Sequence, residues 1–227
     1  MNNPWLHLPN RPPYVLREER VQVEWFNRNH NAHEALRVRT DLLPEPFLGA
    51  RNAPVVLLLL NPGFHPEDPA AHALPGFRRR VLQCIHGEGA EYPLFHLEPA
   101  LPGPGPRWWT RTLRRLIDDC GRSTVARRLL CVEFFPYHTS RFGHADLRLA
   151  SQQYSFSLVR QAIARSAIVI LARGKRLWLG AVPELINYRR LAELRSVRSA
   201  ALSRRNLGRW YSPVRQAIAN VSNREDR

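Results

Sequence analysis

PVVLLLLNPG, residues 54–63, is the strongest structural signal in the sequence. Its six consecutive aliphatic residues, 55–60, show no alternation with polar residues, which is typical of a strand that helices cover on both faces. Pro54 precedes the run, and Asn61, Pro62 and Gly63 follow it. The stretch therefore predicts a buried strand that ends in a polar turn.

Two further apolar runs, LLCVEFF at 129–135 and AIVILA at 167–172, are similar to the first. Segments with helical spacing separate the runs, and strands that alternate with helices are typical of a parallel sheet with right-handed crossovers. A weaker strand is expected near Glu193 to Val197, and a last helix is expected from Ser212, with the apolar stripe Val214, Ala217, Ile218 and Val221. We therefore expect an α/β fold, a three-layer α/β/α sandwich around a mostly parallel four-stranded sheet.

A chain of 227 residues is expected to form a single domain, 1–227, because this length can bury one continuous core. Residues 1–14 hold four prolines and no apolar periodicity, which predicts an extended N-terminal arm. Residues 87–107 hold five prolines and predict a long Pro/Gly-rich loop. Long irregular loops often carry function, but a surface excursion that only packs on the body is an equal alternative.

The composition excludes a disordered chain, because 44% of the residues are hydrophobic and 23% are charged. No aliphatic run approaches the ~20 residues that cross a bilayer, and residues 1–14 contain no apolar signal core. The cysteines, Cys84, Cys120 and Cys131, are odd in number and lack C-x-x-C spacing. These features predict a protein of the reducing cytoplasm without a membrane partner. A monomer is favoured, and the oligomeric state stays open.

The net charge is strongly positive, because 34 Lys and Arg residues oppose 19 Asp and Glu residues and leave +15. Lys175 is the only lysine, so arginine supplies almost all of the positive charge. Such a charge attracts polyanions, of which nucleic acid is the commonest. Nucleic acid is therefore the expected partner; DNA, RNA, an acidic protein and a basic face that only contacts solvent remain open.

Polar residues follow each apolar run, where parallel open sheets bind their ligands: 61–68, 136–141 and 173–176. At these positions the chain resembles the uracil-DNA glycosylase superfamily. Leu60-Asn61-Pro62-Gly63 is similar to the first motif of the mismatch-specific branch, and VILARGKRLW at 169–178 is similar to the strand and Gly-basic turn before the family's last motif. Residues 196–205 match that last motif by position only. The resemblance covers roughly residues 54–220 and favours DNA as the partner.

The resemblance implies a base-excision glycosylase, which hydrolyses the N-glycosidic bond of a uracil or related damaged base turned out of the duplex. It implies that Asn61 positions the hydrolytic water. In active branches a histidine of the last motif donates to the departing base, whereas Arg198 stands nearest that position here. We therefore assign leaving-group contact to His138, which can hydrogen-bond a developing anion. No cofactor and no metal are expected.

Two further sets of residues are expected to contact the substrate. The base pocket is expected to consist of Pro62, Gly63, Phe64, Phe135 and Tyr137, with stacking on the aromatic rings. The basic segment that is interleaved with aromatic residues is expected to contact DNA through Arg198, Ser199, Ser203, Arg204, Arg205 and Asn206. A solvated basic helix is the alternative for this segment.

Two other functions remain open. Arg198 in place of the histidine favours a catalytically inactive nucleic-acid-binding domain of the same fold. Acidic and imidazole side chains near strand ends favour a metal-dependent nuclease, namely His65, Glu67, Asp68, Glu133, His138, His144 and Asp146. These residues lack the fixed spacing of the common metal motifs, and the chain holds neither a phosphate-binding G-x-x-x-x-G-K-[ST] loop nor a G-x-S-x-G elbow.

Overall fold

The central element of the fold is a mixed five-stranded sheet. A computed structural model describes residues 2–29, 34–196 and 198–220 of the chain. Within these residues the strands are β1 (Phe47–Gly49), β2 (Val55–Leu59), β3 (Leu129–Glu133), β4 (Ile168–Leu171) and β5 (Leu191–Glu193). Their order across the sheet is β1-β3-β2-β4-β5. The α/β class expected from the sequence is confirmed.

Helices connect the strands and cover the sheet. In the described ranges the α-helices are α1 (Arg20–Asn29), α2 (Asp68–His72), α3 (Phe77–His86), α4 (Pro104–Cys120), α5 (Arg122–Arg128), α6 (Gln152–Ala164), α7 (Lys175–Ala181), α8 (Arg204–Leu207) and α9 (Tyr211–Ala219). Helix α6 packs against β3 and β4, α9 against β2, and α3 and α5 against β1. Each residue of β2 is at most 5% exposed, because both faces of this strand are covered.

The expectation of a four-stranded sheet was wrong, because β1 joins the edge antiparallel to β3. The four other strands form a parallel set, in which β2 lies between β3 and β4, and β5 lies beside β4. With only three residues, β1 is too short to produce a periodic pattern in the sequence. Gly49 permits the pairing, since its φ is +105° and a Cβ atom there would lie 2.0 Å from the Leu129 carbonyl oxygen.

The order of the strands predicts a crevice at the carboxyl end of β2. The chain passes from β2 to β3 on one side and then from β3 to β4 on the other side of β2. Connections that leave neighbouring parallel strands in opposite directions open a crevice, and such sheets bind their ligands there. The turn that holds Asn61 lies at this point, directly after β2.

Two segments expected to be irregular are partly ordered. In the predicted arm, 1–14, of which Met1 lies outside the described residues, a 3₁₀ turn at Pro4–His7 buries Trp5. In the predicted loop, 87–107, the 3₁₀ turn Phe95–Leu97 is buried and α4 already begins at Pro104. Prolines are tolerated in the first turn of α4 because the first amide groups of a helix have no acceptor within it.

The last two elements begin earlier than predicted. Strand β5 ends at Glu193, where the prediction began, and α9 begins at Tyr211, one residue before Ser212. Val197 and Val221, which belong to these predictions, lie outside the described residues. In the described part of the chain, no helix has the length and the apolar composition needed to cross a membrane.

Leu57→Ala is expected to lower the free energy of unfolding by about 2–5 kcal/mol, because the Leu57 side chain is fully buried in β2. Urea denaturation followed by circular dichroism measures this change. Leu6→Ala is the control, since the Leu6 side chain is 52% exposed and its truncation should cost less than about 1 kcal/mol. Equal losses in the two variants would contradict a central position for β2.

Candidate functional site

Hydrogen bonds join the turn after β2 to the turn after β3. The Nδ2 of Asn61 donates to the carbonyl oxygen of Pro62 and to the hydroxyl of Thr139, each at 2.8 Å. The Thr139 hydroxyl donates in turn to the carbonyl oxygen of Arg141 at 3.1 Å. Gly63 and Thr139 also form a parallel bridge beyond the strand ends. The two turns are therefore one unit at the carboxyl edge of the sheet.

This network fixes the orientation of the Asn61 side chain. The carbonyl oxygens of Pro62 and Thr139 only accept hydrogen bonds, so the Asn61 amide nitrogen must face them. Every hydrogen bond that the Asn61 side chain makes to the described residues is donated by Nδ2. Its Oδ1 is therefore left to accept a hydrogen bond from a water or a ligand, and the side chain is only half-buried.

Phe64 lies beside Asn61 with one face of its ring covered. The guanidinium carbon of Arg39 lies 4.0 Å from the ring centroid. Asp41 holds this guanidinium through bonds from Nε at 2.9 Å and Nη2 at 2.6 Å, and the hydrogen bond from Arg39 lowers the pKa of Asp41. A base that stacks on Phe64 therefore has to use the opposite face of the ring.

The backbone at Gly63 is open on its outer side. Gly63 is exposed, and a Cβ atom built on it would meet no atom within 4 Å. Pro62, by contrast, is buried beneath the turn. The structure thus presents Asn61, Gly63 and Phe64 together at the carboxyl end of β2.

Phe135 and Tyr137, two predicted substrate contacts, lie in the core instead. The Phe135 ring is fully buried and stacks on the His144 ring with the centroids 4.5 Å apart. The Tyr137 hydroxyl donates to the Glu19 carboxylate at 2.7 Å and accepts from the Leu16 amide at 3.3 Å. A base contact by either ring would require the ring to leave this packing.

His138 is also buried, and its ring holds the backbone of two segments. Its Nδ1 lies 2.7 Å from the Gly63 carbonyl oxygen, and its Nε2 lies 3.1 Å from the Leu43 carbonyl oxygen. Only 5% of the residue is exposed. In this position the imidazole supports the turn from below, and leaving-group contact by His138 stays a prediction that needs a rotation of the ring.

A cluster of buried ionisable side chains lies behind His138. His96 Nε2 lies 3.0 Å from the Glu45 carboxylate. Burial opposes ionisation of Glu45, but the charge of His96 and the hydrogen bond from it outweigh burial and lower the pKa of Glu45 to about 2. Burial, aided by the charge of His138, lowers the pKa of His72 to about 3. Burial and the charge of Glu45 raise the pKa of Glu133 well above its usual range.

The predicted DNA-binding segment divides into exposed and structural side chains. Arg198, Ser199 and Arg205 are exposed, and Arg173 Nη2 donates to the Arg198 carbonyl oxygen at 3.1 Å. This contact ties the segment to the turn after β4. Exposed arginines at a sheet edge suit contact with phosphate groups.

Asn206 and Ser203 shape this segment from within. Asn206 is buried; its Oδ1 accepts from the Ser196 amide at 2.8 Å, and its Nδ2 donates to the carbonyl oxygens of Ser199 and Ala201 at 2.9 Å. Ser203 caps α8, because its hydroxyl accepts from the Asn206 amide. Arg204 lies 5.2 Å from the centre of the Tyr211 ring and 3.6 Å from the Asp119 carboxylate. Ser203 and Asn206 are thus engaged with the protein, whereas the Arg204 side chain, despite these two contacts, is 66% exposed.

Sequence reasoning missed four residues of this region: Arg39, Glu45, His72 and Thr139. Thr139 adjoins His138 after a predicted strand, and this position is a signal that could have found it. Arg39 and Glu45 precede the first predicted strand, where no spacing relates them to the carboxyl edge. The antiparallel strand β1 brings that segment alongside β3, and the Arg39 and Glu45 amides donate to the carbonyl oxygens of His138 and Pro136 in the turn after β3.

Tyr137→Phe is expected to lower the free energy of unfolding by about 1–3 kcal/mol, because it leaves one oxygen of the buried Glu19 carboxylate without its donor. Thermal and urea unfolding measure the loss, with the half-buried Tyr92→Phe as the control. Binding to an oligonucleotide at a temperature where both variants are folded should be unchanged. A Tyr137→Phe protein of full stability that no longer binds would instead favour a substrate contact.

Comparisons of the chain with protein-family profiles, with curated proteins and with solved structures return no match. The function therefore has to be argued from the site itself. The site combines an oriented amide at the end of the central strand, an open backbone at Gly63 and a half-covered aromatic ring at Phe64.

Proposed function

We propose that the protein binds DNA and acts as a base-excision glycosylase, which hydrolyses the N-glycosidic bond of a uracil or related damaged base turned out of the helix. The observation that carries this proposal is the fixed amide of Asn61. Its nitrogen is held by Pro62 and Thr139, which leaves its oxygen to accept a hydrogen bond from a water at the crevice. In the mismatch-specific branch that the sequence resembles, an asparagine at this position has this role.

In the proposed mechanism, the target base leaves the stack, because its glycosidic bond cannot be reached inside a duplex. The base lies on the open face of Phe64 and passes the backbone of Gly63, where no side chain intervenes. Asn61 Oδ1 accepts a hydrogen bond from the water and orients it towards the sugar carbon. An amide is too weak a base to remove a proton early, so orientation supplies most of its effect.

The departing base carries negative charge, which the surroundings of the pocket have to stabilise. The guanidinium of Arg39, stacked on Phe64, is the cation nearest to that ring among the described contacts. A net charge of +15 adds a positive field over the whole molecule. In this proposal the positive field takes the place of the histidine that active branches of the superfamily carry in the last motif, where Arg198 stands here. The Arg39 charge contributes less, because it is paired with Asp41 and lies on the opposite face of Phe64 from the base.

The DNA backbone is proposed to lie along the exposed arginines after β5. Arg198, Ser199 and Arg205 contact phosphates, whereas Ser203 and Asn206 hold the shape of the segment.

The cytoplasm is the proposed compartment. All three cysteines are free, and burial raises the pKa of Cys84 to about 12, so this thiol is unreactive.

The decisive experiment measures abasic sites. End-labelled oligonucleotides that carry uracil, hypoxanthine or a mismatch are incubated with the protein and then cleaved with alkali. Asn61→Ala is expected to lower the rate at least ~100-fold, as loss of a positioning group does. Thr139→Val removes one acceptor of the Asn61 amide but leaves the Pro62 carbonyl oxygen, so it should lower the rate less. Ser140→Ala, an exposed neighbour, is the control.

The same assay distinguishes the alternative, an inactive nucleic-acid-binding domain of the same fold. Arg198 in place of the histidine and the burial of His138 favour that alternative. Salt-sensitive binding to every oligonucleotide without any abasic product would overturn the glycosylase and leave the binding domain.

Gly63→Ala tests the approach of the base to the turn. The added methyl group meets no protein atom within 4 Å, so the free energy of unfolding should change by less than about 1 kcal/mol. Glycosylase activity should fall at least ~10-fold, because the methyl group occupies the path of the base. Gly89→Ala is a matched control, since a Cβ atom there also meets nothing within 4 Å. Full activity of Gly63→Ala would contradict the assignment of the pocket.

A further inference from the structure

Three buried or half-buried side chains beneath the candidate pocket converge on one point. Glu45, His72 and His138 each offer one carboxylate oxygen or ring nitrogen, and these three atoms lie within 4.8 Å of one another. A central point therefore exists that lies within about 2.8 Å of all three atoms. Zn–N and Zn–O bonds are shorter, ~2.0–2.2 Å. Small rotations of these side chains would bring them to bonding distance.

The two carbonyl oxygens that contact the His138 ring favour a positive charge at Nε2. Both ring nitrogens face carbonyl oxygens, Gly63 at 2.7 Å and Leu43 at 3.1 Å. A neutral imidazole carries a single N–H, so it can donate to only one of them. With the proton on Nδ1 at the shorter contact, the lone pair of Nε2 opposes the oxygen of Leu43. A cation bound by Nε2 removes this repulsion, and the Nδ1–H bond to a backbone carbonyl is the usual support of a metal-bound histidine.

His72 also offers a ring nitrogen that can bind a metal ion. Its Nδ1 accepts from the Leu43 amide at 3.3 Å, so this nitrogen is unprotonated, and a bound metal ion would take the place of this long hydrogen bond. Leu43 thus contacts both histidines, through its amide on His72 and through its carbonyl oxygen near His138.

Glu45 supplies the negative charge. It lies between Pro44 and Pro46, is 6% exposed, and both of its carboxylate oxygens contact His96 Nε2, at 3.1 and 3.0 Å. A histidine that orients a ligating carboxylate is a common outer partner of metal sites. Two neighbouring buried atoms also lack hydrogen-bond partners, His96 Nδ1 and Glu133 Oε2. Buried polar atoms without partners are rare and often mark an ion or a water.

We propose that Glu45, His72 and His138 bind a divalent transition-metal ion with the chemistry of Zn²⁺. Two imidazole nitrogens and one carboxylate oxygen are a donor set that Zn²⁺ prefers over the harder Mg²⁺ and Ca²⁺. The ligands come from the segment before β1, from α2 and from the turn after β3. The ion joins three segments that meet beneath the pocket, and its role is to stabilise the turn at Gly63. The metal site is independent of the proposed glycosylase activity, because neither the three converging ligand atoms nor the buried atoms without partners involve DNA.

The test measures the metal content of the full-length, tag-free protein after expression in medium that contains zinc. Inductively coupled plasma mass spectrometry should find about one Zn²⁺ per chain in the wild type. His72→Gln and Glu45→Gln should lower Zn²⁺ affinity at least ~10-fold, as loss of a ligand does. His86→Gln is the matched control, an exposed histidine whose Nδ1 lies 3.6 Å from Glu88, and it should retain the metal.

A second measurement uses the wild type alone, so it holds even where a variant fails to fold. Co²⁺ added to the chelator-treated protein should give the intense visible absorption of a four-coordinate site, and excess Zn²⁺ should abolish it. A chelator should also lower the melting temperature, and Zn²⁺ should restore it. Substoichiometric zinc together with only the weak spectrum of hydrated Co²⁺ would overturn the proposal and leave a hydrogen-bonded carboxylate–imidazole network.

Discussion

Parallel hydrogen bonding between β2 and β3 brings two turns to one edge of the sheet, and the bond from Asn61 to Thr139 then joins these turns. Everything proposed for the site depends on this pair of constraints. The pairing is stable because both strands are buried on both faces. The hydrogen bond from Asn61 to Thr139 orients the Asn61 side chain, because it fixes which end of the amide faces away from Thr139. A site built in this way is positioned by the core and needs no long flexible loop.

The buried strands were the most predictable part of the fold. The run at 55–60 has no polar alternation, and a strand covered by helices on both faces requires none, so pattern and structure agree. The position of Asn61 at the edge followed from the end of that run. By contrast, β1 was invisible because it is short and its partner, β3, lies about 80 residues further along the chain. Short edge strands are specified by what they pair with, and the local sequence carries little of that information.

Side-chain placement was less predictable than backbone placement. Phe135, Tyr137 and His138 follow a strand, as ligand-binding residues often do, but all three are buried. Trp5 and Leu16 contact Tyr137, and Leu43 contacts His138, all from the segment before β1, whereas Phe135 stacks on His144. That segment has no periodic relation to the sheet, so its contacts could not be inferred. For the same reason, the positions of Glu45 and Arg39 near the site could not be predicted from the sequence. What the sequence does contain is the residue types, and only the fold decides which of them reach the crevice.

The two edges of the sheet have a consequence for the protein at high concentration. Long, flat edge strands are templates on which other chains can extend a sheet, and proteins avoid this by shortening or charging them. Here each edge strand has three residues. Gly49, which fits against Leu129, ends β1, and Glu193, paired with Lys175 at 2.8 Å, ends β5. The shortness of both edge strands and the charge at the end of β5 thus limit strand-by-strand aggregation, which is a practical advantage for a protein with a core so rich in aliphatic residues.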